Sequence, residues 1–190
     1  MTHYGGKELA ASFRTVRNNT LQIANEIPEN HYNFRAAPGS RTVAQLLVHI
    51  AFGPSFQLYF QKNHVDDLAK VDFPALMKQN AEDEAPERSK AEIVALLKNE
   101  GDAFAQYLEG LSNDFLAQQV AMPPGAAPAT KSRLEMLLGP KEHEMHHRGQ
   151  LMLIERLLGI TPHLTRQREE RAAQMAAQAA KAQHAQPAHR

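Results

Sequence analysis

Hydrophobic residues recur at helical intervals over four long stretches, and nowhere convincingly at the two-residue interval of a strand. In the first, between Lys7 and Ile27, the residues Leu9, Phe13, Val16, Thr20, Ile23 and Ile27 share one face, and Arg14, Arg17, Asn18 and Glu26 occupy the opposite one. Pro28 stops it. The second opens at Thr42-Val43-Ala44-Gln45, the Thr-x-x-Gln form of a capping box, and carries Leu46, His49, Gly53, Phe56 and Phe60 on one face. Pro54 lies inside it and cannot donate to the carbonyl of Ile50, so the spacing predicts a kink or restart one turn past His49. The third begins at the box Ser89-Lys90-Ala91-Glu92 and continues through Ile93, Leu97, Phe104, Leu108 and Leu111; Gly101 weakens it by about 1 kcal/mol relative to alanine without ending it. The fourth starts at Ser132-Arg133-Leu134-Glu135 and ends before Gly159-Ile160-Thr161-Pro162, a stopping glycine followed by proline. Gly139-Pro140 is expected to bend or restart this last helix, making Glu142 and Glu144 acids of its first turn.

The connections differ in length. Asn33 to Ser40 is short and turn-rich. Between Gln61 and Arg88 the pattern loosens around Pro74, Pro86 and the acidic run Glu82-Asp83-Glu84. This reads as a long connection with one short helix near Phe73 to Lys78, its charges solvated and its length suited to a flap over a site. Ser112 to Lys131, with Met122-Pro123-Pro124-Gly125 and Pro128, reads as a second long loop across the bundle end. Four amphipathic helices of roughly 20 residues joined in this way describe an all-α four-helix bundle with long connecting loops. Residues 166–190 hold nine Ala and five Gln, with Met175 their one large apolar side chain. Such a segment cannot build a core, so the chain divides into a bundle domain over residues 1–164 and a tail over 165–190, disordered or a lone helix.

Composition narrows the function. Lys plus Arg and Asp plus Glu both number 21, and no basic stripe interleaves with aromatics, so no nucleic-acid partner is expected. The chain has no cysteine, which excludes disulfides, a Cys-type zinc site and a cysteine nucleophile; a metal must use His, Asp, Glu or water. No apolar run comes near the ~20 residues of a membrane span and the N-terminus lacks a signal-peptide layout, so a cytoplasmic protein without a membrane partner is expected.

The candidate chemistry lies in Glu142-His143-Glu144-Met145-His146-His147-Arg148-Gly149-Gln150. His143 and His147 are four apart, one helical turn, and share the apolar stripe of Leu151, Ile154 and Leu158, so both rings aim inward at metal-ligand spacing. The bland alternative is a pair of half-buried rings satisfied by carbonyls or a carboxylate. His49 adds a third core-facing imidazole from another helix, and three protein ligands with an open fourth position are what a catalytic zinc-type site requires. His146 lies off this stripe and reads as solvated or supporting, and His184 and His189 are not at ligand spacing. The run is also a literal His-Glu-x-x-His, the metalloprotease signature. Against a protease, Gln150 and Leu153 stand where an extended motif needs Gly and His, and the remaining acids, Glu169 and Glu170, fall in the coreless tail.

With Asn33-Phe34-Arg35, Pro38-Gly39-Ser40, Thr42 through His49 to Ala51, and above all His143 through Leu151, the sequence resembles the DinB/YfiT-like superfamily from about Leu9 to Pro162. The resemblance implies a four-helix bundle in which His49, His143 and His147 bind a divalent ion, for which zinc, nickel, iron and copper are all suited to imidazole ligands. It further implies an enzyme that activates a low-molecular-weight thiol, as an S-transferase or isomerase, or water, as a hydrolase. On that reading Glu144 and Arg148 are candidate catalytic helpers, together with Gln150; Arg148 and Gln150 alternatively orient helix neighbours or form a dimer contact. A small-molecule substrate and a homodimer are expected. Pro54 departs from the family pattern, so the shape of the pocket does not follow from the resemblance, and His31 and Ala36-Ala37 vary the first connection. The competing class is a non-catalytic stress-response or binding module with a structural or vestigial metal site, its tail used for association.

Overall fold

The computed structural model describes residues 4–185. Its helices are α1 (Gly6–Glu26), α2 (Val43–Phe52), α3 (Ser55–Lys62), α4 (Phe73–Glu84), α5 (Lys90–Glu109), α6 (Asn113–Ala117), α7 (Arg133–Leu157) and α8 (His163–Ala185), with two short strands, β1 (Gln119–Ala121) and β2 (Thr130–Ser132). The bundle consists of α1, the broken arm α2–α3, α5 and α7, with α1 packed along α5 and α7, and α2 against α5 and α7. Two of the sequence-level caps form complete boxes: Thr42 Oγ1 accepts from the Gln45 amide while Gln45 Oε1 accepts from the Thr42 amide, and Ser89 and Glu92 do the same. Ser132 makes the forward half, accepting from the Glu135 amide. A side-chain cap of this kind is worth about 1 kcal/mol and fixes where each helix begins.

The second arm breaks at Gly53-Pro54, between α2 and α3, one turn past His49. Val43–Lys62 as a whole is apolar and long enough to span a membrane by composition, contrary to the expectation that no such run exists; here it is an arm of the bundle, α2 packed on α5 and α7 and α3 on α7. Gly139-Pro140, by contrast, neither ends nor restarts α7, which runs unbroken from Arg133 to Leu157 with Pro140 buried inside it. Glu142 and Glu144 are therefore mid-helix residues. Packing of the surrounding helix outweighs the one backbone hydrogen bond that the proline removes.

The core is layered. At one end Ile23, Ile27, Leu47, Ile50, Ile93, Leu97, Leu151 and Ile154 pack together; at the other, Leu9, Phe13, Phe104, Leu108 and Leu137. Between them lies a polar layer that periodicity misassigned: Arg17, read as solvent-facing, is 3% exposed and pairs with Glu144, 1% exposed. Arg17 Nε donates to both Glu144 oxygens at 3.0 and 3.1 Å, while Nη1 and Nη2 donate to the carbonyls of Leu97 (2.6 Å) and Ile50 (3.2 Å). Gly101 makes the room: a Cβ there would lie 2.8 Å from Arg17 Cγ.

The long connections carry more structure than the sequence suggests. The first contains α4, twelve residues rather than a short turn at Phe73 to Lys78, and it packs on α2. The second holds α6 and a two-stranded antiparallel ladder pairing Gln119 with Ser132 and Ala121 with Thr130. Three residues per strand are too few for alternation to register. Beyond α7, α8 starts on the buried His163, whose Nε2 bonds to Asn19 Oδ1 at 3.2 Å, and Arg166 pairs with Glu26 at 2.7 Å; from Gln167 to Lys181 the helix is exposed. Beneath this junction Glu155 is fully buried, and neither carboxylate oxygen finds a partner among the described residues. The side chain of His184 and the whole of His189 lie outside what the structure describes.

Candidate metal centre

His49 reaches the bundle interior from α2, and His143 and His147 reach it from successive turns of α7. Their ligand atoms all lie within 4.8 Å of one another. His143 Nε2 is 3.0 Å from His49 Nε2 and 3.1 Å from His147 Nε2, and the rings stand edge to face with centroids 4.5–4.9 Å apart. Nitrogens sharing one ion at 2.0–2.1 Å in a tetrahedral arrangement sit about 3.3 Å apart, close to the spacing of His143 Nε2 from each of the other two.

The outer nitrogens explain the orientation. His49 Nδ1 is 2.8 Å from Glu84 Oε1, and His147 Nδ1 is 2.8 Å from Gln150 Oε1. A carboxylate or amide oxygen only accepts, so each Nδ1 carries the proton and each Nε2 turns a bare lone pair inward. His143 Nε2 can donate to one of these lone pairs at most. The set is thus unsatisfied as it stands and would be satisfied by a cation at its centre, so the residues present fit a metal ion. His143 is held down at about 4, first by burial and then by the charges of His147, His49, His146 and Arg41; His147 is also lowered by burial, against the opposing bond to Gln150. Both are neutral near pH 7, the form a metal needs.

Gly53, at the break in the second arm, is where His143 fits. A Cβ on Gly53 would stand 2.8 Å from His143 Nδ1, so the ring rests directly on the backbone. The break and the glycine together shape a cavity of about 250 Å³ lined by His49, Phe52, Phe56, Gln57, Asn80 and His143, opening on the histidines.

Glu84 was read with Glu82 and Asp83 as a solvated charge. It is instead the hydrogen-bond partner of His49, itself held by Asn80 Nδ2 at 2.7 Å, and is the functional residue that sequence reasoning missed. The signal available was its place at the end of a long connection with a candidate flap; nothing local marked it out from its acidic neighbours. Glu144 moves the other way. The Arg17 guanidinium engages both its oxygens in the core, so it is not free to act as a catalytic helper at the histidines, and the His-Glu-x-x-His protease reading, in which this Glu is the general base, loses its essential group. Arg148 is half-buried, and among the described residues no hydrogen bond ties it to His49, His143 or His147. Gln150 orients His147, and the exposed His146 contacts Gln150 at 3.2 Å.

Comparison with known proteins agrees with this architecture. YjoA of Bacillus subtilis is 25% identical over 154 residues, covering 81% of this chain and 91% of that protein. Its crystal structure, that of a DinB-like protein, superposes with a TM-score of 0.59 at 21% identity, over 81% of this chain and 93% of the other. A DinB-like protein from Bacillus cereus gives 0.61 at 18% identity, over 82% and 93%. YfiT from Bacillus subtilis, described as a probable metal-dependent hydrolase with an unusual four-helix bundle topology, gives 0.62 at 12% identity, over 85% and 91%. The sequence pattern of the DinB superfamily matches residues 12–151, which span α1 through most of α7 and include all three histidines; the chain belongs to the DinB superfamily.

Proposed function

We propose that this protein is a metal-dependent enzyme of hydrolase type, acting on a small molecule in the cavity beside His49 and His143. The observation that carries the reading is the inward convergence of three Nε2 lone pairs, two of them fixed by outer partners, with no donor able to satisfy all three. A divalent ion held by His49, His143 and His147 would supply Lewis acidity at its open position, bringing the pKa of water toward about 7 or deprotonating a thiol. The chain's own part is to orient the rings of His49 and His147 through Glu84 and Gln150, to keep His143 and His147 neutral by burial, and to present Phe52, Phe56, Gln57 and Asn80 to the substrate. The description of YfiT favours water over a low-molecular-weight thiol as the activated group.

The test is metal analysis of protein purified without chelator, beside a His147→Ala variant, followed by a screen of both for ester, amide and phosphoester hydrolysis and for thiol transfer. Bound metal in the parent, lost from the variant while circular dichroism still reports the helical fold, is the expected result. Metal-free parent protein of normal stability would overturn it and leave a binding module. Thiol transfer without hydrolysis would reassign the reaction while leaving the centre in place.

A further inference from the structure

A second cavity, of about 630 Å³, lies on the other side of the His49–Glu84 contact, toward the start of α2. Glu84 belongs to both cavities, so the groove and the histidine cavity share a wall. Three guanidinium groups line it: Arg35, Arg41 and Arg88. Among the described residues none of the three is paired with a carboxylate. Arg88 donates to the carbonyls of Asp83 (2.7 Å) and Pro86 (2.9 Å), and Arg35 to that of Ser40; carbonyls position a guanidinium without neutralising it. Arg41 has no hydrogen-bond partner among the described residues, and its charge reaches His143 and His147. Of the two carboxylates in the groove, Glu84 is committed to His49 and Asn80, leaving Glu87.

Positive charge accumulated in this way, unneutralised and beside a candidate reaction centre, selects its ligand by sign and shape. A guanidinium fork matches the paired oxygens of a carboxylate or phosphate. We propose that this groove binds the anionic group of the substrate, so that the enzyme acts on small molecules bearing a carboxylate or phosphate away from the reacting bond, with Arg41 as the principal contact. This inference rests on the metal-enzyme reading for the meaning of the word substrate, but the anion site can be measured by itself.

The experiment is a titration of isotope-labelled protein, with and without zinc, at constant ionic strength, followed by amide and arginine side-chain NMR shifts. The probes are succinate, inorganic phosphate, and succinamide as the neutral counterpart of succinate. The expected result is that succinate or phosphate moves the signals of residues 41–45 and 84–88, that succinamide does not, and that Arg41→Ala weakens anion binding about tenfold while Arg41→Lys weakens it less. A response to succinate alone or phosphate alone names the anionic group. Arg41→Ala should bind zinc as the parent does. Failure of the parent to bind zinc would sink the metal reading, while anion shifts in the zinc-free protein would still uphold the groove. Equal shifts with succinamide, shifts elsewhere on the protein, or unchanged anion affinity in Arg41→Ala would each overturn the proposal.

Discussion

His143 and Glu144 are neighbours in the chain, both turned into the bundle, and they end in opposite situations. Glu144 meets Arg17, whose remaining donors are taken up by the carbonyls of Leu97 and Ile50, so every strong polar group in that layer is matched. His143 meets two more imidazoles whose lone pairs face its own, and beside them is a cavity. The saturated layer is architecture, because removing any member strands a buried charge. The unsaturated one is available for chemistry: the outer nitrogens of His49 and His147 are held, the inner ones are unsatisfied, and a cavity opens beside His49 and His143. One helical step on α7 separates a satisfied polar group from an unsatisfied one, and what distinguishes them is the residue supplied by the facing helix.

The contrast can be broken by experiment. The largest effect is expected at the saturated layer: Glu144→Ala leaves Arg17 unpaired in the core and should cost about 3–5 kcal/mol in urea unfolding. His147→Ala in metal-free protein should cost at most about 1 kcal/mol. The reverse order would dissolve the distinction. Next comes the wall shared by the two cavities: Glu84→Ala removes the partner of His49 Nδ1 and should weaken zinc binding about 10- to 100-fold in calorimetry, with the overall fold kept. Unchanged affinity would mean that α4 merely rests on the site.

An effect confined to neutral and alkaline pH belongs to Glu155, a third case, unsatisfied yet sealed beneath α8. Burial, reinforced by the charge of Glu26, raises its carboxyl from 4.5 to about 7. The folded protein therefore keeps a proton there that the unfolded chain gives up. Its contribution to stability is fully present below pH 4.5 and is lost as pH rises through 7. Glu155→Gln should flatten that slope and leave the variant about 1–3 kcal/mol more stable than the parent at pH 8, with little difference at pH 4. A parent stability that rises between pH 5 and 7 by the same amount in both proteins would show that Glu155 does not titrate in this range.

Much of this molecule was legible in its residues. The four amphipathic repeats, the capping boxes at Thr42 and Ser89, the break at Pro54 and the inward aim of His49, His143 and His147 all follow from local rules: side-chain spacing of 3.6 residues, donors needing acceptors at helix starts, and a proline without an N–H. Where the sequence misled, the deciding partner was distant in the chain. Arg17 looked exposed until Glu144, 127 residues on, met it; Glu84 looked solvated until it met His49, 35 residues back. Gly139-Pro140 looked like a bend or restart, yet packing carried α7 through it. Periodicity places the apolar face of a helix, because that depends on backbone geometry alone; Arg17, at the edge of such a face, shows that it does not place every polar residue. Whether a polar side chain on that face is satisfied, and so structural, or left open, and so chemical, depends on what another helix brings to it, and only the tertiary structure decided that.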